Sequence, residues 1–297
     1  MPAVGYTARP RILIEAAMSC LFVEQLTVID SSRLDPVDGL VGESWIVDVE
    51  LTGALDEQGM VLDFGDVKRE LKAAIDDSVD HRLLVPEAAT HLQRADGYVE
   101  LAYGSKRGPI HMSGPEHTVV PIPGNTADAA AVRDFLHRSI RPLLPANVTE
   151  LGLRLRNERI DGAWYAYSHG LQAHDGACQR IAHGHRSRLE VYRNGHRAPD
   201  WEAYWAERWR NVYLGSRQHL RGTEDVDGVR CHRFGYTARE GAFSLTVPAA
   251  ACEILETQST VEQIAAYLHA VMQERDPDAR FSVRAFEGLG KGARAFG

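Results

Sequence analysis

The residues best suited to chemistry fall in one stretch of the chain, residues 165–191. His183 and His185 flank a single glycine, and alternate side chains of an extended strand share a face, so the two imidazoles would lie side by side. His169, at the end of an adjacent strand, would add a third. Three histidines with one open coordination position are typical of a catalytic zinc site, and Cys178 is then a candidate nucleophile, base or fourth ligand. Taken alone, an H-x-H pair is more often a polar strand edge that binds nothing.

Length and composition indicate a two-domain globular protein. The chain has 297 residues, of which 44% are hydrophobic and 25% charged, and its formal net charge is −8. Because it has no basic block, we expect no nucleic-acid partner. No apolar run reaches the roughly 20 residues of a membrane span, and the N-terminus lacks the features of a secretory signal. Four scattered cysteines are too few for a disulfide framework, which favours the cytoplasm.

The elements that must position these side chains begin with a predicted strand at residues 20–30 and a turn-rich segment at residues 31–43. Strict alternation then predicts a half-buried antiparallel strand. Its apolar face comprises Trp45, Val47, Val49 and Leu51. Helical spacing next predicts an amphipathic helix that ends just before Asp80 and His81. Its apolar positions are Val67, Leu71, Ala74 and Ile75.

The rest of the first half consists of a polar stretch, a second helix and a closing strand. Residues 88–118 are polar apart from a short apolar run around Tyr98. Asn125 is the predicted N-cap of the second helix, with Asp128 three residues further on. A strand at residues 150–158 completes the half.

The second half repeats this order of elements, which predicts two copies of one module. Residues 18–160 would form the first and residues 161–297 the second, after an N-terminal extension at residues 1–17. The first helix of the second module carries three tryptophans, Trp201, Trp205 and Trp209. The second helix of the repeat starts at a capping-box pattern, Ser259-x-x-Glu262.

These motifs resemble the 6-pyruvoyltetrahydropterin synthase and 6-carboxytetrahydropterin synthase family, which has the T-fold. In that family a histidine closes the first strand and a cysteine precedes His-Gly-His. Gly-Met-Val-x-Asp-Phe, a helix, Asp-His-x-x-Leu, a Thr-x-Glu helix start and a late glutamate follow. The first half matches at GMVLDFGDVK and VDHRLL, and the second at SHG, the cysteine, HGH and STVEQIA. The resemblance implies an α+β fold of two tandem T-fold modules, each an antiparallel sheet of about four strands with two helices on one face.

Neither half carries the full family pattern, and the losses are complementary. The first half has Asp80-His81, but aligns Asp30, Val41 and Glu43 with the three metal histidines. The second half has the histidines and the cysteine, but aligns Ser216-Arg217 with Asp-His. Because the family's site forms between adjacent modules, a fused chain could keep one half of the site in each copy.

The resemblance also implies roles for the residues that match. His169, His183 and His185 would hold Zn²⁺, which would acidify a C–H bond of a pterin such as 7,8-dihydroneopterin triphosphate. Cys178 would act as base or nucleophile, and His81, oriented by Asp80, would shuttle a second proton. Glu287, or alternatively Glu158, would accept hydrogen bonds from the amino-pyrimidine edge of the pterin. Thr260 and Glu262 would also bind substrate.

Several alternatives follow from the same residues. The protein could bind a pterin or purine without turnover, with a vestigial metal site, or act on another pterin-like ring. Arg180, Arg186 and Arg188 supply candidate positive charge for a triphosphate. Two modules cannot close a T-fold ring, so the resemblance implies a homo-oligomer. The module interface that holds the active site could lie either within one chain or between chains.

Overall fold

The computed structural model describes residues 18–297, and the extension predicted at residues 1–17 lies outside this range. The described chain is a mixed α+β fold with few helices and large sheets. The helices are α1 (Phe64–Asp66), α2 (Lys72–Val79), α3 (Ala129–Ile140), α4 (Pro199–Arg208) and α5 (Val261–Arg275), and a π-helical turn, Val67–Leu71, joins the first two. None of these helices has both the length and the apolar character needed to cross a bilayer.

The strands are numbered in chain order. Those of the first half are β1 (Met18–Asp35), β2 (Gly39–Ala54), β3 (Leu83–Pro86), β4 (His91–Ala95), β5 (Tyr98–Ser105), β6 (Gly108–Pro115), β7 (Val119–Ile122) and β8 (Val148–Asn157). Those of the second half are β9 (Trp164–His169), β10 (His183–Arg193), β11 (His196–Arg197), β12 (Arg210–Ser216), β13 (Leu220–Val226), β14 (Val229–Ala238), β15 (Gly241–Pro248), β16 (Cys252–Leu255), β17 (Phe281–Phe286) and β18 (Gly292–Phe296).

The first sheet has the strand order β7-β3-β1-β2-β8. Its long strands β1, β2 and β8 are antiparallel, as predicted, and the alternating face of β2 is buried in the core. The turn-rich prediction for residues 31–43 was wrong, because β1 runs on to Asp35 and β2 begins at Gly39. Ser31 and Ser32 suggested a turn, yet both are fully buried strand residues. Gly39, with φ of +76°, closes the short connection.

The sheet is also larger and less uniform than the four antiparallel strands expected. The short strands β3 and β7 add a parallel edge, with β3 paired to β1 and β7 paired to β3. β3 runs parallel to β1 because β2 reverses the direction of the chain and the connection through the α1–α2 segment reverses it again.

The second sheet repeats the strand order of the first, as β16-β12-β9-β10-β17, with β18 added at the edge and β11 paired to β10. This repeat supports the two-module interpretation, and we propose that residues 18–160 and 161–297 are copies of one module. Each copy packs a helix-covered core of its own. In the second, Trp205 and Trp209 of the α4 region are fully buried against α5 residues.

The strand pairing corrects the sequence alignment of the two halves. Arg33 lies opposite Val41 in the first sheet, as His169 lies opposite His183 in the second. The counterpart of His169 is therefore Arg33 rather than Asp30. The pairing β1–β3 and β9–β12 likewise makes Asn211, not Arg217, the counterpart of His81. The connection from β1 to β2 is much shorter than that from β9 to β10, so the sequence pattern did not fix this register.

The third sheet joins the two halves. Its order is β13-β14-β15-β6-β5-β4, and β6 pairs with β15 at residues His111–Ser113 and Ser244–Thr246. Strands β4, β5 and β6 all lie within residues 88–118, so the interpretation of that stretch as merely polar was wrong. Val99, Leu101 and Tyr103 alternate along β5 and are buried, a short period-two signal that could have identified the strand.

The two predicted helix caps were each displaced along the chain. Asp128, rather than Asn125, caps α3 by accepting hydrogen bonds from the N–H groups of Ala130 and Ala131. Thr260, rather than Ser259, caps α5 by accepting a hydrogen bond from the Gln263 N–H. Ser259 is thereby free to contact the histidine cluster described below.

A close crossing of the β1–β2 and β9–β10 hairpins brings the halves together near the candidate site. A methyl group built on Gly42 would lie 2.0 Å from the Tyr167 carbonyl oxygen, and one on Gly184 would lie 2.7 Å from the Gly42 Cα atom. The Ser32 hydroxyl donates to the Ser168 hydroxyl across this crossing at 2.6 Å. Only glycine at positions 42 and 184 permits the backbones to approach this closely.

Candidate active site

The three histidines of the second half form one buried cluster. His169, at the end of β9, lies directly opposite His183, at the start of β10, and His185 follows on the same face. Their ring centroids are 4.4 to 5.5 Å apart, and each residue is at most 1% exposed. One ligand atom from each ring lies within 4.8 Å of the others. The strand positions inferred from the H-x-H spacing therefore bring the three imidazoles together.

Each imidazole contacts a protein acceptor through Nδ1. The His169 Nδ1 atom lies 3.0 Å from both the carbonyl and the hydroxyl oxygen of Ser259, and the His183 Nδ1 atom lies 3.0 Å from the Arg180 carbonyl. The His185 Nδ1 atom faces the Asp30 carboxylate at 3.3 Å. This arrangement favours the tautomer that carries its proton on Nδ1. The Nε2 lone pairs are then free to bind a ligand.

The electrostatics of the cluster also suit a cation. The Nε2 atoms of all three histidines are buried without a hydrogen-bond partner. Burial first, and then the neighbouring imidazoles, hold the pKa of His169 and of His183 well below the usual value of 6.5, so both rings are neutral. Buried, unpaired and neutral imidazole nitrogens are the donor set that Zn²⁺ prefers in a three-histidine site. The residues present therefore fit a metal ion.

Cys178 and the Asp80-His81 pair lie beside this cluster. One ligand atom each from His81, Cys178 and His183 lie within 4.8 Å of one another, and the rings of His81 and His183 stack with centroids 5.1 Å apart. The His81 Nδ1 atom is hydrogen-bonded to the Asp80 carboxylate at 2.7 Å. Burial lowers the pKa of His81, but hydrogen bonds to Asp80 and Cys178 outweigh it and raise the value to about 10. His81 therefore keeps its proton at neutral pH in this arrangement, beside the sulfur of Cys178.

The Asp80-His81 pair is held in an unusual backbone conformation. Asp80 is the C-cap of α2, and His81 has φ of +52°, which is uncommon for a side-chain-bearing residue. The His81 N–H donates to the Asp30 carbonyl at 2.9 Å, and the Asp30 N–H donates to the Asp80 carboxylate at 2.8 Å. Arg180 contacts the Asp80 and His81 carbonyls at 3.5 and 3.4 Å while it pairs with Glu240. The pair is thus fixed by both halves of the chain.

Of the predicted substrate-binding residues, only Glu287 places a charged group beside the histidine cluster. The Glu287 carboxylate reaches the cluster, with Oε1 3.6 Å from His185 Nε2 and 3.9 Å from His169 Nε2. Glu158 instead lies 3.9 Å from Arg188. Thr260 is the half-buried N-cap of α5, one residue after the histidine-contacting Ser259, whereas Glu262 is exposed in the first turn of that helix.

Two residues with a place in this site were missed in the sequence. Asp30 was aligned with one of the metal histidines and taken as a replaced ligand. Lys291, which lies 3.5 Å from the Asp30 carboxylate, was given no role. Burial raises the pKa of Asp30, but His185, Lys291 and Ser44 outweigh it and bring the value to about 2. A charged residue at the end of the predicted strand 20–30 was the available signal. Its partner could not be found from spacing, because it lies in the other half of the chain.

In the first half, an ion pair replaces the metal ligands. Arg33 and Glu43 stand at the positions that correspond to His169 and His185, and the Arg33 Nε atom donates to Glu43 at 2.9 Å. Val41 corresponds to His183. This half therefore offers no imidazole at the three positions, and the structure holds one three-histidine cluster within residues 18–297.

Comparison with known proteins finds a family match for part of the chain. Residues 35–146 match the family model for 6-pyruvoyl tetrahydropterin synthase, and this segment, less than half of the chain, is a domain of that family. It contains Asp80 and His81 but precedes the three-histidine cluster. No curated protein matches the chain.

Two solved structures are similar to part of the chain. The 6-pyruvoyltetrahydropterin synthase of Plasmodium vivax is 19% identical with a TM-score of 0.35, and the match covers 48% of this chain and 99% of that one. The enzyme of Plasmodium falciparum is 15% identical with a TM-score of 0.36, covering 47% of this chain and 98% of that one. In each case one whole relative corresponds in length to about half of this chain.

Proposed function

We propose that this chain, which carries a 6-pyruvoyl tetrahydropterin synthase domain at residues 35–146, is a zinc-dependent lyase of pterin metabolism. Its substrate would be 7,8-dihydroneopterin triphosphate or a related pterin with a hydroxylated side chain, as in 6-pyruvoyl- and 6-carboxytetrahydropterin synthases. One observation carries the proposal. A three-histidine cluster with free Nε2 atoms lies next to a cysteine and an Asp-His pair. Together these are the types of group that this elimination chemistry requires.

The metal centre would be held by His169, His183 and His185. Zn²⁺ bound there would polarise the substrate's side-chain oxygens and stabilise negative charge on the adjacent carbon. Glu287 lies beside the cluster, and its carboxylate would accept hydrogen bonds from the amino-pyrimidine edge and so orient the ring.

The proton transfers would be carried out by Cys178 and His81. The Cys178 thiolate would accept the proton from the activated C–H bond, and His81 lies beside its sulfur. His81 would then deliver a proton through Nε2, because Nδ1 is engaged by Asp80. Arg180 is tied to Glu240 and to the backbone of the Asp80-His81 turn, so we assign it a positioning role rather than a phosphate-binding one.

The proposal is tested by incubating zinc-loaded protein with 7,8-dihydroneopterin triphosphate and identifying the products by mass. We expect loss of the triphosphate group or cleavage of the side chain, and at least about a 100-fold slower reaction for Cys178→Ala and for His81→Ala. Cys20→Ala, at an exposed residue of β1, and His91→Ala, at an exposed residue of β4, are the matched controls. Tight pterin binding without any product would instead favour the non-catalytic alternative, and no pterin binding would refute both.

We further propose that the protein assembles as a homo-oligomer in the cytoplasm. Within residues 18–297, the two mixed sheets have edge strands at β7 and β8 and at β16 and β18, and sheet edges are normally covered. The four cysteines are all unpaired, in agreement with a reducing compartment. Light scattering on the purified protein tests the assembly, and a monodisperse monomer would contradict it.

A further inference from the structure

Asp30 is a buried acid that belongs to the first half of the chain but faces the metal cluster of the second. It lies in β1, only 4% exposed, and its Oδ1 atom is 3.3 Å from the Nδ1 atom of His185. That nitrogen is buried and has no aligned hydrogen bond. A small rotation of the ring or the carboxyl group would complete one.

The carboxylate is held in place from the other sides. The Ser44 hydroxyl donates to Oδ1 at 2.5 Å, and the Lys291 ammonium lies 3.5 Å from Oδ2. Gly288 packs against the same group, since a methyl group added there would be 2.7 Å from Oδ1. Asp30 therefore has a fixed orientation, set by residues of both halves.

The backbone of Asp30 fixes the other part of the site. Its N–H donates to the Asp80 carboxylate, and its carbonyl accepts from the His81 N–H. The same residue thus touches the Asp-His pair through its main chain and the metal cluster through its side chain. A change in the side chain alone can separate these two contacts.

We propose that Asp30 is a positioning residue for the metal centre and accepts the Nδ1 proton of His185 so that Nε2 is directed at the ion. This inference rests on the proposed metal site. His169 and His183 use neutral acceptors, Ser259 and the Arg180 carbonyl, so Asp30 would supply the one charged acceptor among the three. Such outer partners set ring orientation and ligand basicity, and their loss typically weakens metal binding about 10- to 100-fold.

The test is a zinc competition titration against a chromophoric chelator for the wild type, Asp30→Ala and Asp30→Asn. We expect Asp30→Ala to weaken zinc binding about 10- to 100-fold, and Asp30→Asn to weaken it less, because its amide oxygen can still accept a hydrogen bond but carries no charge. Glu43→Gln is the matched control, since Glu43 is a buried acid of the neighbouring strand that pairs with Arg33. Its zinc affinity should equal that of the wild type.

A second measurement separates positioning from general stability. The visible spectrum of the Co²⁺-substituted protein reports the ligand field, and we expect it to change in both Asp30 variants but not in Glu43→Gln. Wild-type protein that binds zinc, together with unchanged affinity in Asp30→Ala, would overturn the role of Asp30 and leave the proposed metal site standing. Wild-type protein that binds no zinc would overturn both. If Asp30→Ala does not fold, unchanged affinity and an unchanged Co²⁺ spectrum in Asp30→Asn overturn the inference.

Discussion

The imidazole of His81 stacks on that of His183, with ring centroids 5.1 Å apart and planes inclined by 30°, although the two residues belong to different halves of the chain. Cys178 lies within 4.8 Å of both. The groups proposed for proton transfer and the groups proposed for metal binding therefore meet inside one polypeptide.

This contact predicts the outcome of a complementation experiment. Mixing Cys178→Ala chains with His81→Ala chains, under conditions that allow subunit exchange, should restore no activity, because every site in the mixture still lacks one of the two groups. Activity is measured with 7,8-dihydroneopterin triphosphate before and after exchange. Recovery of activity would mean that the working site is assembled between chains, and full activity of either single variant would discard the shared-site mechanism.

The metal content should be about one zinc ion per chain, because the first half has Arg33, Val41 and Glu43 at the corresponding positions. Elemental analysis of protein purified without chelators gives the ratio. A His183→Ala/His185→Ala double variant should lose the metal, whereas His196→Ala, at an exposed residue of β11, should keep it. Two ions per chain, or metal retained by the double variant, would rule out this centre.

The crossing of the two hairpins should tolerate no side chain. Gly42→Ala places a methyl group 2.0 Å from the Tyr167 carbonyl oxygen and 2.8 Å from the backbone nitrogen of His185, so the strands must separate. We expect a loss of about 1–3 kcal/mol in the free energy of unfolding, measured by urea denaturation, together with weaker zinc binding. Gly222→Ala in β13 meets no atom within 4 Å and should leave both quantities nearly unchanged. Equal stability of the two variants would contradict the close crossing.

Acid should destabilise the fold through His219. This side chain is 4% exposed, and burial, followed by the charge of Arg221, lowers its pKa to about 4. Since the unfolded chain takes up the proton near pH 6.5 and the folded chain only near pH 4, stability falls as the pH is lowered through this window. Between pH 7 and pH 5 the loss due to His219 should be at most about 2 kcal/mol.

Urea denaturation at pH 7 and pH 5, compared between the wild type and His219→Asn, measures this contribution. All other titratable groups are the same in both proteins, so the difference in pH dependence isolates His219. We expect a shallower dependence in the variant. An identical pH dependence would show that His219 is not held neutral in the folded state.

Much of the local structure follows from the sequence. The alternation of Trp45, Val47 and Val49 gave the buried face of β2, and the H-x-H spacing gave two imidazoles on one face of β10. These features are determined by the two-residue period of a strand, which depends only on neighbouring residues. Strand β5 carried the same signal in Val99, Leu101 and Tyr103, but the polar residues around it concealed a run this short.

The relations between distant residues were decided by the tertiary structure. The register that makes Arg33 the counterpart of His169 depends on how each hairpin turns, and the pairing of Asp30 with His185 depends on the crossing at Gly42 and Gly184. The family pattern indicated that the chain kept one half of a site in each copy. It did not indicate that His81 and His183 would stack within one chain, because contacts between distant segments arise from packing and from loop closure, which leave no period in the sequence.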